Sequence, residues 1–166
     1  MICGIVAVDN KWGIGKDNKL LFRLPHDMAV FKALTNDSIV ACGVNTLRSF
    51  PGEKPLKDRS TFVLASEGYE RDDCVVIHGF DKFLHTILEL SKTQIVWIIG
   101  GGRLYQAMLP YYDAVYVTKV RADGQADTFF PNLDEMLEFE VTEGTPTYDG
   151  NDNEYIVQFN TYTRKR

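Results

Sequence analysis

The run Gln94–Ile99, QIVWII, passes directly into Gly100-Gly101-Gly102 and then into RLYQAML. This feature constrains the fold most. A short segment that is apolar after its first residue and rich in β-branched side chains fits a strand covered on both faces, as at the centre of a parallel sheet. The glycines mark a strand-to-helix turn, and Pro110 is the expected stop of the helix. Parallel neighbours need crossover connections, and the chain supplies them. Ile2–Val8, Ser38–Cys42, Thr61–Ala65, Cys74–Ile77 and Ala114–Val120 read as strands. Helical patterns lie between them at Pro25–Leu34, Asn45–Ser49 and Asp81–Leu90. Pro25 suits a first helical position and Asp81 a cap. Met28, Phe31 and Leu34 form a stripe expected to face the core. Leu137–Glu143 and Tyr155–Thr163 read as a long antiparallel pair, with the turn at Asp149–Asn153, DGNDN. The alternation predicts an α/β sheet covered on both faces, with an antiparallel C-terminal edge.

A chain of 166 residues suits one domain with a sizeable core. Its net charge of −5 argues against nucleic acid as the main partner, because phosphate backbones need a basic face. Cys3, Cys42 and Cys74 have no disulfide or zinc spacing, and His26, His78 and His85 show no metal-ligand spacing. Buried thiols in a reducing cytosol are the expectation. No apolar run reaches the ~18 residues of a membrane span. MICGIVAV has no basic start and reads as a strand rather than a signal peptide.

In open α/β sheets, ligands bind beyond the carboxyl ends of the strands. Three such exits carry unusual residues: the long loop WGIGKDNKLLFRL after Val8, Gly43-Val44-Asn45-Thr46, and Gly100-Gly101-Gly102-Arg103. The triple glycine is no dinucleotide fingerprint, since Leu104 and Tyr105 stand where the third glycine belongs. It is either a tight turn or a place where a phosphate approaches backbone amides, and the spacing alone does not choose. Gly43 and Thr46 repeat that pattern. Asp27 is the oddest residue, because it shares a helical face with Phe31 and Leu34. A helix dipole rewards a carboxylate in the first turn by ~0.3–1 kcal/mol. An apolar setting instead penalises the charge, unless a donor-rich partner such as a ligand meets it. No serine-hydrolase elbow or zinc-protease motif is present.

Taken in order, these pieces resemble the dihydrofolate reductase family over nearly the whole chain. The fragments are IVAVD, G-I-G-x-x-N-x-L at Gly13–Leu20 and L-P-x-D-x-x-x-F-K at Leu24–Lys32. They continue with G-x-x-T at Gly43–Thr46, P-L-x-x-R at Pro55–Arg59 and I-G-G-G-x-x-Y at Ile99–Tyr105. Y-V-T at Tyr116–Thr118 and D-T-x-F-P at Asp127–Pro131 complete the set. The resemblance implies a three-layer fold on a central eight-stranded, mostly parallel sheet. It also implies hydride transfer from NADPH to the pterin ring of 7,8-dihydrofolate, giving the tetrahydrofolate of one-carbon metabolism. It further implies antifolate inhibitors as ligands, a monomer and a cytoplasmic location.

The family's acid maps onto Asp27, supported by Thr118. Ile5, Val6, Met28, Phe31, Phe50, Leu56 and Ile99 map onto the pterin and aryl walls. Arg59 maps onto the partner of the glutamate tail's α-carboxylate. Leu20, Phe22 and Tyr105 join the catalytic set, with the Asp9–Leu24 loop closing over the nicotinamide. The cofactor set comprises Ala7, Ile14, Gly15, Asn18, Lys19, Leu20, Gly43, Val44, Asn45, Thr46, Leu64, Ala65, Ser66, His78, Gly101, Gly102, Arg103, Leu104, Tyr105 and Thr128. A cis Gly100-Gly101 bond is implied as well.

Two positions depart from the family pattern. Val44 stands where an Arg or Lys often contacts the 2′-phosphate, leaving Arg103, Ser66 and Asn45 for that role, with His78 nearby. Phe22 stands where a tryptophan is frequent, so the indole N–H is lost. Two other readings are the related pyrimidine reductase of riboflavin synthesis, which needs neither Asp27 nor Arg59 in these motifs, and a non-catalytic nucleotide- or folate-binding module.

Overall fold

The computed structural model describes Met1–Arg166. Twelve strands form: β1 (Ile2–Val8), β2 (Gly13–Lys16), β3 (Lys19–Leu20), β4 (Ile39–Gly43), β5 (Ser60–Ala65), β6 (Val75–His78), β7 (Val96–Ile98), β8 (Ala114–Val120), β9 (Thr128–Phe129), β10 (Phe139–Glu143), β11 (Thr147–Asp149) and β12 (Tyr155–Arg164). The helices are α1 (Pro25–Thr35), α2 (Val44–Arg48), α3 (Phe80–Ser91) and α4 (Gly102–Ala107). The main sheet runs β10-β12-β8-β1-β7-β4-β5-β6, with β11 also on β12. Two compact units divide the chain. One is Met1–Gly4 with Thr35–Tyr112; the other is Ile5–Leu34 with Asp113–Arg166.

The first unit is the parallel part. β7 pairs in parallel with the start of β1 and with β4, β4 pairs with β5, and β5 with β6. Its centre is dry, as the apolar run requires: Val96, Ile98, Val40, Ala41, Cys42 and Val63 are each 0% exposed. Burial pushes the Cys42 thiol up to about 12, so it behaves as a small apolar side chain. Phe83 and Ile87 seal α3 against the sheet. Asp81 does not cap α3, contrary to expectation. Gly79, at φ 86, occupies the cap and Asp81 lies in the first turn. The helix after the glycines ends at Ala107, and Pro110 sits in a separate 3-10 turn, Leu109–Tyr111.

The second unit is antiparallel. β12 pairs with β8 on one side and with both β10 and β11 on the other. The expected partner strand is present as β10, and beyond Gly144, whose N–H reaches the Phe159 carbonyl, a further short strand, β11, continues along β12. The Asp149–Asn153 turn therefore joins β11, not β10, to β12. The long glycine-bearing loop also holds more order than expected. β2 and β3 form a small hairpin that β9 extends. Two- and four-residue strands are too short to show a period in the sequence.

α1 departs most from expectation. Met28 is 56% exposed and Leu34 36%, so the apolar stripe is not core. Core packing in this unit lies instead around Leu24, Val120 and Val157, with Ala7, Phe22, Tyr155 and Phe159 against them.

Candidate active site

The acid site belongs to the second unit. Leu24 precedes α1 and its carbonyl accepts the Met28 N–H, but leucine offers no side-chain acceptor to the first-turn amides. A distant carboxylate takes that part. Asp149 accepts the N–H of His26 at 3.0 Å and that of Asp27 at 2.8 Å, one on each oxygen, and its own Oδ1 also accepts the Gly150 N–H at 2.8 Å. Asp149 is only 4% exposed.

Anchored in this way, Asp27 turns its carboxylate toward β8, where the Thr118 hydroxyl donates to it at 2.6 Å. Thr118 is 6% exposed and is held in register opposite Phe159. Burial raises the pKa of Asp27 above its ordinary value. The Thr118 hydrogen bond opposes this, the negative charge of Asp149 adds to it, and His26 lowers it. The site is an acid on a half-open apolar face, with one strong hydroxyl donor and an enhanced hold on a proton.

In the first unit, β4 and β7 are neighbours whose chains leave in opposite directions, toward β5 and toward β8. Such a switch point is where α/β sheets bind ligands. β4 ends in Gly43, which caps α2, and β7 is followed by Gly101, which caps α4. Neither cap supplies a side-chain acceptor, so the first-turn amides are available to an anionic ligand. A β-carbon at Gly43 would meet nothing within 4 Å, leaving that backbone open to approach. The Gly100-Gly101 peptide is cis, as the resemblance implies. Gly100 has φ +119, and a β-carbon there would lie 3.2 Å from the Tyr105 ring and 3.4 Å from Thr46 Oγ1. The turn, Thr46 and Tyr105 are thus one packed group.

Two further pairs lie in this unit. Arg59 Nε donates to the Lys57 carbonyl at 2.9 Å and Nη1 to Thr35 Oγ1 at 3.2 Å, which sets the plane of the guanidinium. Ala65 and His78 are register partners at the ends of β5 and β6. The His78 ring spans from the Ser66 carbonyl, 2.9 Å, to Glu70, 2.8 Å. The Glu70 hydrogen bond, with the Ser66 carbonyl, raises the pKa of His78 and favours its cationic form.

The sequence model of the dihydrofolate reductase family matches residues 1–164. The chain belongs to that family. It is 34% identical to the dihydrofolate reductase of Bacillus subtilis over 167 residues, covering 99% of this chain and 95% of that protein. It is 32% identical to the Haemophilus influenzae enzyme, covering 97% of each chain. Among solved structures, a dihydrofolate reductase from Enterococcus faecalis complexed with NADP(H) and RAB-propyl matches with a TM-score of 0.86 and 28% identity. That match covers 100% of this chain and 97% of the other. The riboflavin-pathway alternative is thereby set aside.

The residues that family resemblance nominates fall into two groups. Ile5, Val6, Ala7, Ile14, Gly15, Asn18, Lys19, Leu20, Phe22, Asp27, Met28, Phe31, Thr118 and Thr128 belong to the second unit; Phe50, Leu56, Arg59, Ile99 and the strand-exit residues belong to the first. Leu20 is 83% exposed on β3. Phe22 packs edge-on against Tyr155, ring centroids 5.0 Å apart, so the aromatic is retained as packing. Ala65 and Leu104 are buried. Val44 opens α2 and brings no charge. Asp149, Thr35 and Glu70 were not singled out by sequence reasoning. Each acts on a nominated residue from a distant position or through a surface loop, and no local motif announces them.

Proposed function

We propose that this chain reduces 7,8-dihydrofolate to 5,6,7,8-tetrahydrofolate, consuming NADPH and one proton and releasing NADP⁺. The observation that carries this reading is the Asp27–Thr118 pair, a half-buried acid held by a buried hydroxyl on a partly open helix face, in a chain of this family. Asp27 accepts from the amino group and adjacent ring nitrogen of the pterin, partners that offset its desolvation. Thr118 holds its carboxylate in plane, and the negative charge of Asp27 beside the ring favours protonation of the neighbouring imine nitrogen. Met28, Phe31 and Ile5 exclude water from the ring, and Arg59 grips the glutamate tail's α-carboxylate with a planar two-point match.

NADPH supplies the hydride when bound. The first unit fits that group: the open Gly43, the uncapped first turns of α2 and α4, and the Thr46–Gly100–Tyr105 group form a cradle for phosphates and ribose. Ser66, Asn45 and Arg103 take the 2′-phosphate in place of the missing charge at Val44, with His78 nearby. The Asp9–Leu24 segment, with Leu20 exposed on it, closes over the site and excludes water. We place the chain in the cytoplasm as a monomer acting as one catalytic domain. No helix is long and apolar enough to cross a membrane, and the buried Cys42 thiol is consistent with a reducing compartment. The test is loss of NADPH absorbance on adding dihydrofolate. Turnover supports the reading, and tight ligand binding without turnover would leave a binding module instead.

A further inference from the structure

We propose that Asp149 is a positioning residue for the catalytic acid. From the C-terminal hairpin, its carboxylate caps α1 at the amides of His26 and Asp27 and so fixes Asp27 against Thr118. The proposal rests on the reading of Asp27 given above.

The geometry is specific. α1 has leucine where a helix usually has Ser, Thr, Asp or Asn, so its first turn lacks a local acceptor. The substitute comes from 122 residues away. A carboxylate only 4% exposed needs compensation, and Asp149 obtains it from three N–H groups and from the positive end of the helix. The hairpin is shaped to deliver it. Asp149 pairs with Tyr155, and Gly150 follows at φ +93. There a β-carbon would come within 2.9 Å of Glu154 and Tyr155, so only glycine fits. The cap therefore ties β11 and β12 to the backbone of the residue that carries the chemistry.

Asp149 also places a second negative charge beside Asp27. The groups acting on the Asp27 carboxyl are Thr118 from β8, Asp149 from β11 and His26 from its own helix. Only Thr118 and His26 favour the ionised form; Asp149 opposes it together with burial. A cap of this kind does two things: it holds the acid in place and helps it keep its proton. A neutral serine cap would do only the first.

The test compares wild type with Asp149→Asn and Asp149→Ala in the full chain. The first readout is the ¹³C titration of the Asp27 carboxyl, and the second is amide exchange at His26 and Asp27. The third is kcat and KM across pH with NADPH and dihydrofolate. In Asp149→Asn the Asp27 titration moves to lower pH, both amides exchange faster, and kcat falls on the order of 10- to 100-fold with a smaller change in KM, as expected for a misplaced catalytic group. Asp149→Ala shows the larger loss; should it fail to fold, Asp149→Asn decides alone. An unchanged Asp27 titration with kcat within twofold of wild type overturns the proposal, even if Tm drops, because Asp149 is then a structural cap only. If wild type fails to reduce dihydrofolate, the functional reading fails, while the titration and exchange, which need no substrate, still decide whether Asp149 positions Asp27.

Discussion

Thr118→Val tests the acid site with little disturbance elsewhere. Valine preserves the volume and β-branching of a residue in the middle of β8, so its pairing with Phe159 and its burial are retained. What disappears is one hydroxyl donating at 2.6 Å to a carboxylate. Hydrogen bonds to charged groups contribute ~1.5–3 kcal/mol. If the bond persists in the transition state, its loss lowers kcat/KM by about 10- to 150-fold, at ~1.4 kcal/mol per tenfold. The direction of the pH effect is also fixed. The hydroxyl lowers the pKa of Asp27, so removing it moves the Asp27 limb of the kcat/KM profile to higher pH. Asp149→Asn moves it the opposite way. The assay is NADPH oxidation with saturating cofactor and varied dihydrofolate, repeated across pH. A kcat/KM within twofold of wild type and an unmoved limb would refute the reasoning, since the 2.6 Å contact would then carry no weight in the reaction.

Three other outcomes are expected. Arg59→Leu raises the KM for dihydrofolate by about 10- to 100-fold with a smaller change in kcat, reflecting a lost charge-assisted two-point contact; equal KM values rule the role out. Val44→Arg restores a cation at the start of α2 and increases the ratio of kcat/KM for NADPH over NADH; an unchanged ratio means that the 2′-phosphate does not lie there. Asp27→Asn stabilises the fold at neutral pH. Because burial raises the pKa of Asp27, the folded state keeps the proton to higher pH than the unfolded chain. The penalty is complete above the folded pKa and fades on acidification, so the Tm gain, ~2–4 °C per kcal/mol relieved in a chain of this size, disappears near pH ~4. A Tm gain that persists unchanged into acid contradicts this cause.

What the sequence made legible was local and strongly patterned. The apolar run before Gly100 announced a central parallel strand, and the glycines marked two strand-to-helix exits, because burial and tight turns each demand particular residue types; that these exits flank a switch point shows only in the strand order. Asp27 stood out as a charge on an apolar face. The same face was misjudged as core, since hydrophobic periodicity reports that a surface is to be covered but not by what. Met28 and Leu34 are exposed. The missed elements share a different cause. β2, β3 and β11 are too short to carry a period. Asp149 and Thr35 act across 122 and 24 residues of chain, and their effect exists only after folding. DGNDN read as a turn because its glycine and asparagines describe the turn well; nothing local indicates that its first aspartate caps a helix elsewhere.

The most direct test of the central claim is the effect of Asp27→Ala on dihydrofolate-dependent NADPH oxidation, measured beside the Kd for NADPH. The account predicts a loss of at least ~100-fold in kcat/KM for dihydrofolate with cofactor binding unchanged within about twofold, because a transition-state interaction is removed and the strand exits of β4 and β7 are untouched. Undiminished turnover by Asp27→Ala would contradict it.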